Sequence, residues 1–171
     1  MGLQIIIYGS PFLRKKSVEI TENDNAALIA ENLLNTLKNE GGLGLAGPQT
    51  GILKRIFIMD TSLLAKEDSS IKKIEKAIVN PEIVNLSEKK EYYNEGCLSI
   101  PGIYEDVLRS ETIDVRYYDA NFNLFEERLN GIEARIFQHE FDHLEGVLFI
   151  DRLSSLRRKL LAGKLNKIKN R

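Results

Sequence analysis

The stretch Gln138–Gly146, QHEFDHLEG, holds both histidines of the 171-residue chain, four residues apart, with a glutamate directly after the first. On a helix, residues four apart share one face with Cβ atoms roughly 5–6 Å apart, so His139 and His143 can reach the same point in space. Ile132, Ile136 and Phe137 recur at the same spacing, which predicts a helix opening at Asn130 or Gly131 and closed by Gly146. Glu140 lies one position round from His139, close enough to reach a water on a shared metal ion without ligating it. This is the HExxH arrangement: two neutral imidazole ligands plus a carboxylate that takes a proton from metal-activated water. The bland alternative is a pair of ordinary polar residues on a half-buried helix. The apolar flanks on the ligand-bearing side and Asp142, a possible salt-bridging partner, weigh against it.

A catalytic site of this kind needs a third protein ligand. Downstream of His143 the chain offers only Glu145, which faces elsewhere, and Asp151, which lies beyond the helix end. Upstream, the lone Cys97 sits in NEGCLSIPG at the end of a predicted strand. One cysteine cannot form an internal disulfide, which leaves a small buried hydrophobe, a nucleophile or a metal ligand. Its thiolate would complete a Cys-His-His set with one position left for water or substrate. Such a soft, electron-rich site suits ferrous iron as well as zinc and exposes the thiolate to oxidation.

Around this helix the sequence predicts an α+β fold, with mainly antiparallel sheets packed on the HExxH helix, an N-terminal helix and a C-terminal helix. Ala26, Ile29, Ala30, Leu33 and Leu37 mark one face of a helix from Asp24, which can cap it, to Glu40, stopped by Gly41-Gly42. GGLGLAGPQTG is too rich in Gly and Pro for a helix. RIFIMD, KAIVNPEIV and KKEYYNEG read as strands, and TIDVRYYDANFNLFEERL as a hairpin turning at Asp119 to Asn123. Lys66 to Lys76 reads as a surface loop. The length, the 43% of hydrophobic residues and the lack of a linker predict one domain over residues 1–171. A short apolar N-terminal run followed by basic residues reverses the order of a signal peptide, which predicts a cytoplasmic protein without a membrane segment.

Three segments in this order, GLGLAGPQ (Gly42 to Gln49), EGCLS (Glu95 to Ser99) and QHEFDHLEG, resemble the three motifs of the peptide deformylases. Those enzymes remove the formyl group from the N-terminal methionine of new proteins. The resemblance spans nearly the whole chain and implies Cys97, His139 and His143 as ligands of one divalent metal, with Glu140 as general acid and base. It implies iron(II) in the cell, with zinc, nickel or cobalt in preparations. It further implies Gln49 and the Leu98 N–H as donors to the formyl oxygen, and Gly44 and Gly96 along a substrate that pairs as an added strand. Leu43, Tyr93, Glu95, Ile132, Arg135, Ile136 and His139 would line the methionine pocket, the Arg135 head pairing with Glu95. Gly47 stands where the family commonly has alanine, which is expected to add backbone freedom beside Gln49. Two rival readings share some of these parts: an HExxH peptidase acting on internal bonds, and a metal-binding relative without activity.

The charge distribution adds one expectation. Of 24 Lys and Arg, eight fall in residues 152–171 together with no acidic residue, leaving 16 basic against 25 acidic residues in the rest. That pattern marks either contact with an anionic surface or a solvated helix face, and does not suggest sequence-specific nucleic-acid binding. For an enzyme acting on nascent chains, it suggests docking on the ribosome through Arg157, Arg158, Lys164, Lys167 and Lys169. Leu156, Leu160 and Leu161 are expected to anchor this helix.

Overall fold

A computed structural model describes residues 2–170; Met1 and Arg171, the ends of the expected span, lie outside the described residues. Helix α1 runs Ala26–Glu40, capped not by Asp24 but by Asn25, whose side chain accepts from the Leu28 N–H at 3.0 Å. Asp24 instead accepts from the Thr21 N–H and pairs with Lys54, closing the turn that leads into the helix. Gly41, at φ 74°, ends α1 in the left-handed region where a Cβ is disfavoured.

The glycine-rich segment forms strand β1 (Gly44–Ala46) and a 3-10 turn over Gly47–Thr50. Strand β2 (Ile56–Asp60) follows, buried at every position, then a short helix α2 (Ser62–Glu67) that takes up the start of the expected 66–76 loop. The chain continues through β3 (Glu75–Leu86), β4 (Lys90–Cys97), β5 (Ile100–Ser110), β6 (Thr112–Tyr118) and β7 (Leu124–Asn130). Five strands make one antiparallel sheet in the order β1-β2-β3-β6-β7, while β4 and β5 form a separate hairpin. The β6–β7 turn falls where expected, with Asp119 accepting from the N–H groups of Asn121 and Asn123. Strand β5 has no counterpart among the expected strands. It holds Pro101 and Gly102, and Glu105 and Arg109 are buried within it.

Helix α3 (Gly131–Leu144) carries the HExxH residues and packs on the five-stranded sheet, where Phe137 meets Phe57 edge to face at 5.1 Å between centroids. Helix α4 (Ser155–Lys169) lies under the β4–β5 hairpin, with Leu161, Leu165 and Ile168 packed on Ile100, Ile103 and Val107, and Cys97 at the edge of this cluster. The anchoring expectation is corrected in part. Leu161 is buried, but Leu156 and Leu160 are 68% and 66% exposed because the buried face is set by the 161, 165, 168 phase. Among the described residues no helix is long and apolar enough to cross a membrane.

Candidate metal centre and cleft

The register of the β4–β5 hairpin slips between Glu95 and Cys97, so Cys97 pairs with Ile100 at a bulge. This brings its Sγ to 3.3 Å from His143 Nε2. The two histidine rings, projected from successive turns of α3, stand 5.1 Å apart between centroids. One sulfur and one nitrogen from each imidazole lie within 4.8 Å of one another, a group that could hold a metal ion.

Polar contacts prepare these donors. His139 Nδ1 donates to Glu95 Oε2 at 2.9 Å, which leaves Nε2 as the ring nitrogen available to a metal. Burial pushes the His139 ring down, yet hydrogen bonds with Cys97 and Glu95 outweigh it and lift the group to about 10. His143 is pushed well below the usual imidazole range by burial and by the neighbouring His139 charge. A metal ion at this group would displace the proton that these contacts place on His139, since an imidazole ligates only in its neutral form. Burial alone would raise Glu95, but hydrogen bonds from His139 and Arg109 hold its carboxyl well below the usual carboxylate range.

Glu140 is buried beside this group, and its Oε2 has no hydrogen-bond partner among the described residues. Burial pushes its carboxyl up to about 7, against the pull of the His139 charge. Gly44 of β1 makes room for it: a Cβ there would stand 2.4 Å from Glu140 Oε1. The Gln49 side chain is oriented at both ends. Its Oε1 accepts from the Ala46 N–H at 2.8 Å, and its Nε2 donates to Cys97 Sγ at 3.4 Å and Ser99 Oγ at 3.3 Å. Gly47 leaves room for the Ile52 carbonyl, which lies only 2.5 Å from where a Cβ at this position would stand.

A cleft of about 550 Å³ opens over these groups. Leu43, Gly44 and Gln49 line it from the β1 side; Tyr93, Glu95, Gly96, Cys97 and Leu98 from the hairpin; Ile132, Arg135, Ile136, His139 and Glu140 from α3. Of the expected site residues only His143 does not line it, lying 1% exposed beneath. The Arg135 head bonds Glu95 Oε1 at 2.9 Å and lies 5.6 Å from the centre of the Tyr93 ring. Both β1, at the end of the five-stranded sheet, and β4, paired only with β5, border the cleft.

Residues 3–159 match the sequence profile of a family described as polypeptide deformylase. The chain belongs to the peptide deformylase family. This deformylase is 39% identical to the peptide deformylase of Cytophaga hutchinsonii over 165 residues, covering 96% of this chain and 89% of the relative. It is 42% identical to that of Thermotoga petrophila, covering 95% and 93%. Its fold superposes on a crystal structure of peptide deformylase from Plasmodium falciparum with a TM-score of 0.87 at 37% identity, covering 96% of this chain and 94% of that one. For the Thermotoga maritima peptide deformylase the TM-score is 0.80 at 40% identity, covering 90% and 99%. The family is metal-dependent, in keeping with the Cys-His-His group.

Two residues of the site have no role that the sequence alone reveals. Ser99 accepts from Gln49 Nε2, and Arg109 bonds both Glu95 and Asp142. No local pattern marks Arg109, since its partners lie 14 and 33 residues away.

Proposed function

We propose that Cys97, His139 and His143 hold the divalent metal of this enzyme, and that Glu140 is its general acid and base. The enzyme is a hydrolase that removes the formyl group from N-terminal formylmethionine. The observation that carries the residue assignment is the buried Glu140 carboxyl, without a partner at Oε2 among the described residues, beside three convergent donors at the floor of a cleft. When bound at these residues, the metal would supply Lewis acidity, which brings the pKa of water toward ~7. Glu140 takes the proton as the formyl carbon is attacked and returns it to the departing amine. Gln49 Nε2, on releasing its contact with Cys97 Sγ, and the Leu98 N–H donate to the oxygen as it gains charge, where loss of one such donor costs about 2.7–4 kcal/mol. The Glu95 carboxylate keeps the His139 tautomer fixed throughout.

The substrate lies extended between the free edges of β1 and β4, its methionine side chain among Leu43, Tyr93, Ile132 and Ile136. A formyl carbon carries only hydrogen, so a cramped site admits it and rejects internal peptide carbonyls. The peptidase and inactive-relative readings are not favoured. Iron(II) is the metal we assign in the cell, and the cytoplasm the compartment, where formylated nascent chains arise. We further assign the exposed cations of α4 to ribosomal phosphate, with Arg157 already engaged by Glu105 at 2.9 Å. The deciding experiment measures formate release from formyl-Met-Ala-Ser beside cleavage of the unformylated peptide. Glu140→Gln is expected to keep its metal and lose nearly all turnover; a rate near that of the parent refutes the Glu140 assignment.

A further inference from the structure

The three donor residues come from two separately hydrogen-bonded parts of the fold: Cys97 from the β4–β5 hairpin, His139 and His143 from α3. Arg109, on β5 and 3% exposed, lies between these parts. Its Nε and Nη2 donate to the two oxygens of Glu95 at 2.7 and 3.0 Å, and its Nη1 donates to Asp142 Oδ2 at 2.7 Å. Glu95 in turn accepts from His139 Nδ1, and Asp142 immediately precedes His143 in α3. One planar guanidinium therefore holds the carboxylate that orients one histidine and the helix position beside the other.

Neutralising two buried acids does not account for this arrangement. Arg135 already supplies a cation to Glu95, and Arg152 supplies one to Asp142. Among the described residues Arg109 alone touches both acids. The rigid fork of a guanidinium can bridge two carboxylates at fixed spacing, which a lysine ammonium cannot do.

We infer that Arg109 is a positioning residue that fixes the His139 ring and the hairpin-to-helix spacing, and thereby slows loss of the bound metal. This rests on the metal site proposed above. The test loads the parent chain, Arg109→Met and Arg109→Lys with cobalt(II) and records metal per chain, the visible spectrum and the rate of cobalt release to a chelator. Thermal melts of the metal-free forms are run alongside. Release from Arg109→Met is expected to be about 10–100-fold faster, the usual scale for loss of a group supporting a metal ligand. The cobalt bands should shift, and Arg109→Lys, which keeps the charge and loses the fork, should fall between. A merely structural role would lower the melting temperature while leaving release and spectrum unchanged, and that result overturns the inference. If Arg109→Met does not fold, Arg109→Lys decides alone: parental release overturns, faster release supports. A parent chain that binds cobalt with no thiolate band overturns the metal reading and this inference with it.

Discussion

Adding one methyl group at Gly44 should slow the chemistry about a hundredfold without removing the metal. Gly44 pairs with Met59 in ordinary strand geometry, so alanine there does not strain the backbone. The methyl carbon would stand 2.4 Å from Glu140 Oε1 and 2.8 Å from its Cγ and Cδ. Van der Waals contact begins near 3.4 Å, so the carboxylate must retreat by about 1 Å. Glu140 is 4% exposed, and a displacement of that size at a reacting group costs on the order of 10²-fold. The assay is kcat and KM for formyl-Met-Ala-Ser from formate release, with metal per chain measured on the same samples. The expected result is kcat lowered about 10²-fold at unchanged metal content. A kcat equal to that of the parent would refute the idea that Glu140 is placed by the lack of a side chain at residue 44.

Four further outcomes are expected. In the metal-free protein the Glu140 carboxyl is raised from 4.5 to about 7, so its contribution to stability is fully present below 4.5 and is lost as pH rises through 7. Above that window metal-free Glu140→Gln should be more stable than the parent by on the order of 3 kcal/mol, and parallel denaturation-versus-pH curves would contradict this. Gly47→Ala, although alanine is common in the family, should destabilise by about 1–3 kcal/mol because its methyl meets the Ile52 carbonyl; an unchanged melting temperature would count against that contact. The iron(II) form should be active and decay in air while nickel and cobalt forms persist, and equal persistence would argue against oxidation at the Cys97 site. Changing Arg158, Lys164, Lys167 and Lys169 to Gln should weaken salt-sensitive co-sedimentation with ribosomes and leave short-peptide turnover intact; undiminished co-sedimentation returns α4 to a solvated helix face.

What could be read from the sequence followed the range of each signal. His139, Glu140 and His143 are within five consecutive residues, so the shared face of the two histidines is written in their spacing, and the helix forms over Gly131–Leu144 as the periodicity requires. Cys97 was legible because it is the single thiol in the chain. The choice between Asp24 and Asn25 as cap was not, since adjacent residues offer the same acceptor and tertiary pairing with Lys54 took one of them. Helix α4 carries leucines on two sides, so its sequence leaves open which side is covered; only contact with Ile100 and Val107 selects Leu161, Leu165 and Ile168. Strand β5 buries Glu105 and Arg109, and such charges look like solvent-facing residues until their partners on other elements are known.

The two open strand edges that border the cleft bear on how much a single protein must know about its substrates. A main chain looks the same whatever side chains it carries, so the pairing with β1 and β4 proposed above would give purchase on any polypeptide and distinguish none. Discrimination would then be left to one pocket for the first side chain and to the smallness of the group removed. An enzyme arranged this way interrogates one residue of each chain it meets, and the rest of a proteome can vary freely past it.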